Sequence, residues 1–177
     1  MYKRIMIVID EGAVGKSAVA EGISLAKVHS AEVYFFHVLA NYVLPISDVM
    51  PMSGRDVDEY RKRVEKRAVT LLTDATKRAK KMGVRSSDFV STGSDAAECI
   101  ADAATKRKCD LVVIGSHGRT ALQRLLYGSV VTRVITMCTK PVLVCKAQDT
   151  PTVRAIKKVS LPTIAKRRAR PRRAVAA

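Results

Sequence analysis

Apolar residues change their spacing several times along the chain, and each change marks an element. Residues 4–9, Arg-Ile-Met-Ile-Val-Ile, have no polar interruption after Arg4. A continuous β-branched run of that kind predicts a strand buried on both faces. From about Gly15 to Ser30 the period lengthens, and Val19, Ile23, Leu25 and Ala26 share one broad helical face. Residues 32–38, Glu-Val-Tyr-Phe-Phe-His-Val, return to a strand pattern. A longer loop with Pro45, Pro51 and Gly54 follows. Residues 55–82 carry many charges over an apolar stripe of Val57, Tyr60, Val64, Ala68, Leu71, Leu72 and Ala75, spaced as a helix. Gly83 suits the stop just beyond it.

Residues 84–91 predict a weaker third strand. Asp95-Ala-Ala-Glu98 has capping-box spacing and opens a helix through Ile100 and Ala104 to about Lys106. Asp110-Leu-Val-Val-Ile114 is a fourth buried strand, followed by a glycine-containing loop and a helix from about Ser129 to Cys138. Pro141-Val-Leu-Val-Cys145 is a fifth strand, with proline at the first position, where its missing N–H is tolerated. Strands and helices thus alternate over residues 1–146. The expected fold class is α/β: a single doubly wound, Rossmann-like domain with a five-stranded, mostly parallel sheet. Such sheets bind ligands beyond the carboxyl ends of their strands, at the point where strand order reverses. The turns after 4–9, 32–38 and 110–114 are therefore the candidate places for chemistry.

Composition adds limits. The 177 residues are 47% hydrophobic, which suits one globular domain with an extension. No apolar run approaches the roughly 18 residues of a membrane span. The basic start is followed only by Ile5 to Ile9 before Asp10, less than the roughly 7–15 apolar residues of a secretory signal. Neither a membrane protein nor a secreted one is expected. The four cysteines, Cys99, Cys109, Cys138 and Cys145, fit no zinc spacing. A chain this long needs no disulfides, so they read as small buried hydrophobes in a reducing, cytoplasmic compartment.

Charge divides the chain. It carries 32 Lys and Arg against 16 Asp and Glu, a net +16. Residues 150–177 hold nine of those cations, three prolines and no acid. This predicts a folded domain over 1–148 and a disordered basic C-terminal tail over 149–177. Such a tail attracts polyanions without reading sequence, so nonspecific nucleic-acid contact is its expected partner chemistry.

The glycines after the fourth strand carry the sharper signal. Gly115-Ser116-His117-Gly118 is followed, with nine residues between, by Gly128-Ser129-Val130. Two glycines in a short turn let backbone N–H groups converge on an anion. A helix start offers further unpaired N–H groups and favours negative charge, and Ser129 adds a hydroxyl. Either half alone is better explained by a tight turn or an ordinary Gly-Ser cap. The combined spacing of Gly, two residues, Gly, nine residues, Gly-Ser resembles the nucleotide-binding signature of the ATP-binding branch of the universal stress protein family. Ile7-Val8-Ile9-Asp10, His37-Val38-Leu39 and Pro141-Val-Leu-Val144 resemble that family's first, second and last strands. The resemblance covers about residues 1–146.

That resemblance implies an adenine nucleotide, ATP, as ligand. By position, Asp10 would hydrogen-bond the ribose and Val38 would pack on adenine or offer its backbone. Gly115, Ser116, His117 and Gly118 would let the chain approach the phosphates, and Gly128, Ser129 and Val130 would close over them. Any Mg²⁺ would be held mostly by phosphate oxygens and water. The family's Asp-Gly-Ser first turn is here Asp10-Glu11-Gly12, which removes a hydroxyl and adds an acid that would repel phosphate or reach a metal. The resemblance also implies a homodimer through the last strand, an exposed edge.

Gly15-Lys16-Ser17 is not a P-loop, because Asp10 stands where the first glycine of that motif belongs. Among the histidines, His29 suits a helix end, His37 is expected to be packed within a strand, and His117 matters through its backbone. No pair of residues reads as a nucleophile with its base, and no carboxylate dyad is evident. The expected function is a regulatory, stress-response nucleotide-binding module, not an enzyme, with at most slow ATP hydrolysis. A nucleic-acid-associated protein acting through the tail is the alternative, and a true ATPase comes third.

Overall fold

The computed structural model describes residues 1–40, 54–116 and 129–146. Among the described residues, nine elements run in the order β1 (Arg4–Val8), α1 (Ala13–His29), β2 (Glu32–Ala40), α2 (Gly54–Lys81), β3 (Ser86–Gly93), α3 (Ala96–Lys106), β4 (Leu111–Ser116), α4 (Ser129–Met137) and β5 (Val142–Lys146). The sheet order is β3-β2-β1-β4-β5, and all pairings among the described strands are parallel. The α/β doubly wound class expected from the pattern is the fold observed. The order reverses between β1 and β4, so the switch point lies there.

The alternation of β1 explains how two cores form. Ile5 and Ile7 point to one face with Ala18, Ile23 and Ala26 of α1 and Leu72, Ala75 and Ala79 of α2. Met6 and Val8 point to the other, with Ala97, Ile100 and Ala104 of α3 and Val131 and Val134 of α4. Phe35 and Phe36 divide in the same way between the two faces. A strand covered on both sides has no polar face, which is why its sequence reads as an unbroken apolar run. Asp110 secures its start, accepting from the Lys3 and Arg4 N–H groups at 2.7 and 3.1 Å. Ser17 Oγ donates to the Lys146 carbonyl at 2.9 Å and ties α1 to β5.

Several boundaries differ from the sequence expectation. Helix α1 starts at Ala13, before Gly15, because its N-cap is Gly12 at φ 94° with no side-chain cap. No Ser, Thr, Asp or Asn marks that start. Of the apolar stripe expected on α2, Ala68, Leu72 and Ala75 are buried, Tyr60, Val64 and Leu71 are half-buried and Val57 is exposed; Ala79 extends the buried part. The α2 end behaves as expected, with Gly83 at φ 72°. Strand β3 spans Ser86–Gly93 and is an edge strand, with Ser87, Asp88 and Thr92 exposed together with the apolar Val90. Strand β4 reaches Ser116, because Gly115 and Ser116 pair with Cys145 and Lys146 of β5. Both residues therefore belong to the sheet and not to the following loop.

Cys109 and Cys145 are buried, and Cys99 and Cys138 partly so; all four are free thiols. Burial, then the neighbouring Asp110 carboxylate, pushes the Cys109 thiol up to about 11, as expected of a packed hydrophobe. No described helix is long and apolar enough to cross a membrane. Residues 147–177, on which the tail expectation falls, lie outside the described residues.

Candidate functional site

The carboxyl ends of β2, β1 and β4 lie side by side at one edge of the parallel sheet. A cavity of about 300 Å³ opens across the β1–β4 switch point. Its described lining is Val8, Ile9 and Asp10 after β1, His37 and Val38 of β2, Ile114 and Gly115 of β4, Ala96 and Ile100 of α3, and Ser129, Val130 and Val131 of α4. The volume is at the low end for small-molecule sites, and the wall is apolar with few polar groups, as such sites usually are. Asp10 is the only carboxylate among the described lining residues. Its Oδ1 accepts from the Glu11 N–H at 2.7 Å.

The structure gathers five of the sequence candidates around this one space: Asp10, Val38, Gly115, Ser129 and Val130. Ser116 is buried at the end of β4 and is not in the described lining. His117, Gly118 and Gly128 lie outside the described residues. His37, expected to be packed, is half-buried and forms part of the wall, with Nδ1 2.8 Å from the Ile9 carbonyl oxygen. Ala96, Ile100, Ile114 and Val131 were not among the candidates. Their periodicity marks them as core, and only the tertiary fold shows that this core has an open end. Glu11 lies away from the described cavity lining, in a groove with Arg63, Lys66 and Arg67 of α2. Lys16 lines a neighbouring crevice with Asp74 and Arg78, which shares Ile9 and Asp10 with the cavity.

Gly115 has a packing role. A Cβ there would meet Val14 Cγ1 and lie 2.8 Å from the Val14 carbonyl oxygen. The start of α1 can approach β4 this closely only because no side chain intervenes.

The wall formed by α3 is held by Asp95. Its Oδ1 caps the helix, accepting from the Ala97 and Glu98 N–H groups at 3.0 and 3.4 Å. Its Oδ2 accepts from Arg133 of α4, which joins the two helices flanking the cavity. Desolvation pushes the Asp95 pKa up, but the Arg133 bond, the two capping N–H groups and the Arg133 charge outweigh it, and the carboxyl sits below its usual range. A depressed folded-state pKa stabilises fully above the unfolded value of about 3.9, and the contribution fades as pH falls through the folded value. Asp95→Asn retains a capping side chain and removes the charge. Wild type should be the more stable in urea at pH 7, and the gap should narrow by pH 3. An equal gap at both pH values would show that the charge is not the source.

Sheet order and cavity together define a doubly wound α/β domain with a cavity at its switch point. The chain belongs to the universal stress protein family, whose sequence model matches residues 1–146. Universal stress protein MJ0531 of Methanocaldococcus jannaschii is 35% identical over 150 residues, covering 82% of this chain and 83% of that protein. The solved structure of MJ0577 from the same organism superposes with a TM-score of 0.68 at 25% identity, covering 85% of this chain and 99% of that one. A universal stress family protein of Arabidopsis thaliana, solved with AMP bound, gives a TM-score of 0.62 at 16% identity over 82% of this chain and 92% of that one. At that identity the likeness is one of fold.

Proposed function

We propose that this chain is an ATP-binding universal stress protein, a regulatory module of the stress response that hydrolyses ATP slowly if at all. The observation that carries the reading is the cavity at the β1–β4 switch point, where Asp10, Val38, Gly115, Ser129 and Val130 converge. The AMP-bound plant protein of the same fold supports it. In this reading the apolar wall of Val38, Ile100 and Val130 takes the adenine. Asp10 accepts from the ribose hydroxyls, because an ionised carboxylate only accepts. The start of α4 at Ser129, with no acid in its first turn, faces the phosphates; Gly118 and Gly128, which the family resemblance assigns to the phosphates, lie outside the described residues. Any Mg²⁺ would be held mostly by the nucleotide's phosphate oxygens and water. The protein would work in the cytoplasm, with residues 1–148 as the nucleotide domain. It would pair with a second copy through β5, the sheet-edge strand on which Leu143 is exposed.

Calorimetry with ATP and Mg²⁺ tests the reading. Ligand at 100 times Kd should add about 2.7 kcal/mol to the folded state, seen as a raised Tm. Mass spectrometry of gently purified protein should find an adenine nucleotide. Turnover should stay far below the enzyme median of about 10 s⁻¹. No heat and no Tm shift at millimolar ATP would overturn the reading. Sustained hydrolysis above about 1 s⁻¹, abolished by Gly128→Val, would replace the regulatory module with an ATPase.

A further inference from the structure

Strands β1 and β2 separate at the cavity, and one side chain stands where they part. Their register runs to Val8 opposite Phe36, and the Ile9 N–H still bonds the Phe36 carbonyl at 2.8 Å. Ile9 is only 4% exposed, so its own carbonyl needs a partner inside the protein. The His37 ring supplies it, Nδ1 to oxygen at 2.8 Å. A carbonyl oxygen only accepts, so Nδ1 carries the proton in this contact. The ring thus continues the bonding between the strands after the ladder ends, and it does so in the cavity wall.

The next residue is Asp10. Its backbone is closely confined, since a Cβ on Gly15 would lie 2.8 Å from the Asp10 carbonyl carbon. Its carboxylate is turned back to the Glu11 N–H at 2.7 Å. Two bonds from β2 hold Ile9 at the entry to this turn, Phe36 through its carbonyl and His37 through its ring, and the ring is the one that fixes the Ile9 carbonyl.

We propose that His37 is a positioning residue for nucleoside recognition: through the Ile9 carbonyl it sets the direction from which Asp10 meets the sugar, and thereby the preference for ribose over 2′-deoxyribose. This rests on the nucleotide reading above. Both ribose hydroxyls can donate to a carboxylate, and the deoxy sugar has lost one of them. The preference therefore depends on where the carboxylate sits, and a loosened turn blurs it.

The test uses the full-length chain with Mg²⁺-ATP and Mg²⁺-2′-deoxy-ATP in calorimetry. Wild type should favour ATP. His37→Ala should weaken ATP about tenfold, a loss of about 1.4 kcal/mol, and bring the two affinities close together. His37→Asn should restore the preference, because its side-chain amide again offers a donor near the Nδ1 position. Adding His37→Ala to Asp10→Asn should cost little more, since groups acting through one contact are not additive. In the nucleotide-free protein, the Glu11 amide should exchange hydrogen faster in His37→Ala than in wild type. If His37→Ala does not fold, His37→Gln keeps the bulk, moves the amide one bond outward and carries the same expectations. Equal weakening of ATP and deoxy-ATP, additive effects of His37 and Asp10, or no preference in wild type would each overturn the proposal. Failure of the nucleotide reading looks different, because wild type itself then gives no heat with ATP.

Discussion

Gly115→Val should destabilise the folded domain by about 3 kcal/mol or more, the upper end of overpacking costs. A Cβ at this position meets both the Val14 side chain and, at 2.8 Å, the Val14 carbonyl oxygen. The side chain can rotate away, but the backbone moves only if the start of α1 lifts from β4. That start also carries Gly12 and borders Asp10, so the cavity deforms together with the packing. At roughly 2–4 °C per kcal/mol for a chain of this size, the Tm should fall by about 6–12 °C. Val14→Ala in the same chain should recover part of the loss, because it removes Cγ1, and not all of it, because the carbonyl remains. Chemical unfolding of the three variants decides the matter. If Gly115→Val keeps wild-type stability and loses only nucleotide affinity, the glycine serves ligand approach and not packing.

This glycine shows where the sequence stops being legible. The spacing from Gly115 to Ser129 can be read as a phosphate loop, yet the structure puts Gly115 inside a strand against Val14. Both uses need a missing side chain, so a one-dimensional pattern does not separate them. The α/β class was legible because strands covered on both faces leave unbroken apolar runs, as residues 4–9 and 110–114 do. The start of α1 was not, because a glycine N-cap at positive φ leaves no polar signature. The α2 stripe was read too far toward its N-terminus. Helical periodicity shows which face is apolar but not how far along the helix a sheet lies beneath it. At the site, Asp10 and Ser129 were visible as polar residues at element ends. Ile100, Ile114 and Val131 look like any other core residues until the fold shows that they border a cavity.

Phe36→Ala and Phe35→Ala should cost similar stability and have different effects on the ligand. Both rings are fully buried on adjacent positions of β2, and Phe→Ala in a core typically costs about 3–5 kcal/mol. Phe35 belongs to the core beneath α1 and α2. Phe36 belongs to the core beneath α3 and α4, with Ile100, Ile114 and Val131, which also line the cavity. It stacks on Phe89 of β3 with ring centroids 4.8 Å apart, and Arg107 lies over the outer ring at 4.5 Å. Removing Phe36 takes away the support under the cavity floor, so Ile100 and Ile114 relax into the gap. The ATP Kd should then rise about tenfold in Phe36→Ala, while Phe35→Ala changes it less than threefold, at temperatures where both are folded. Urea midpoints give the stability and calorimetry gives the affinity. Equal loss of affinity in the two variants would mean that the cavity responds to global stability and not to the core directly beneath it.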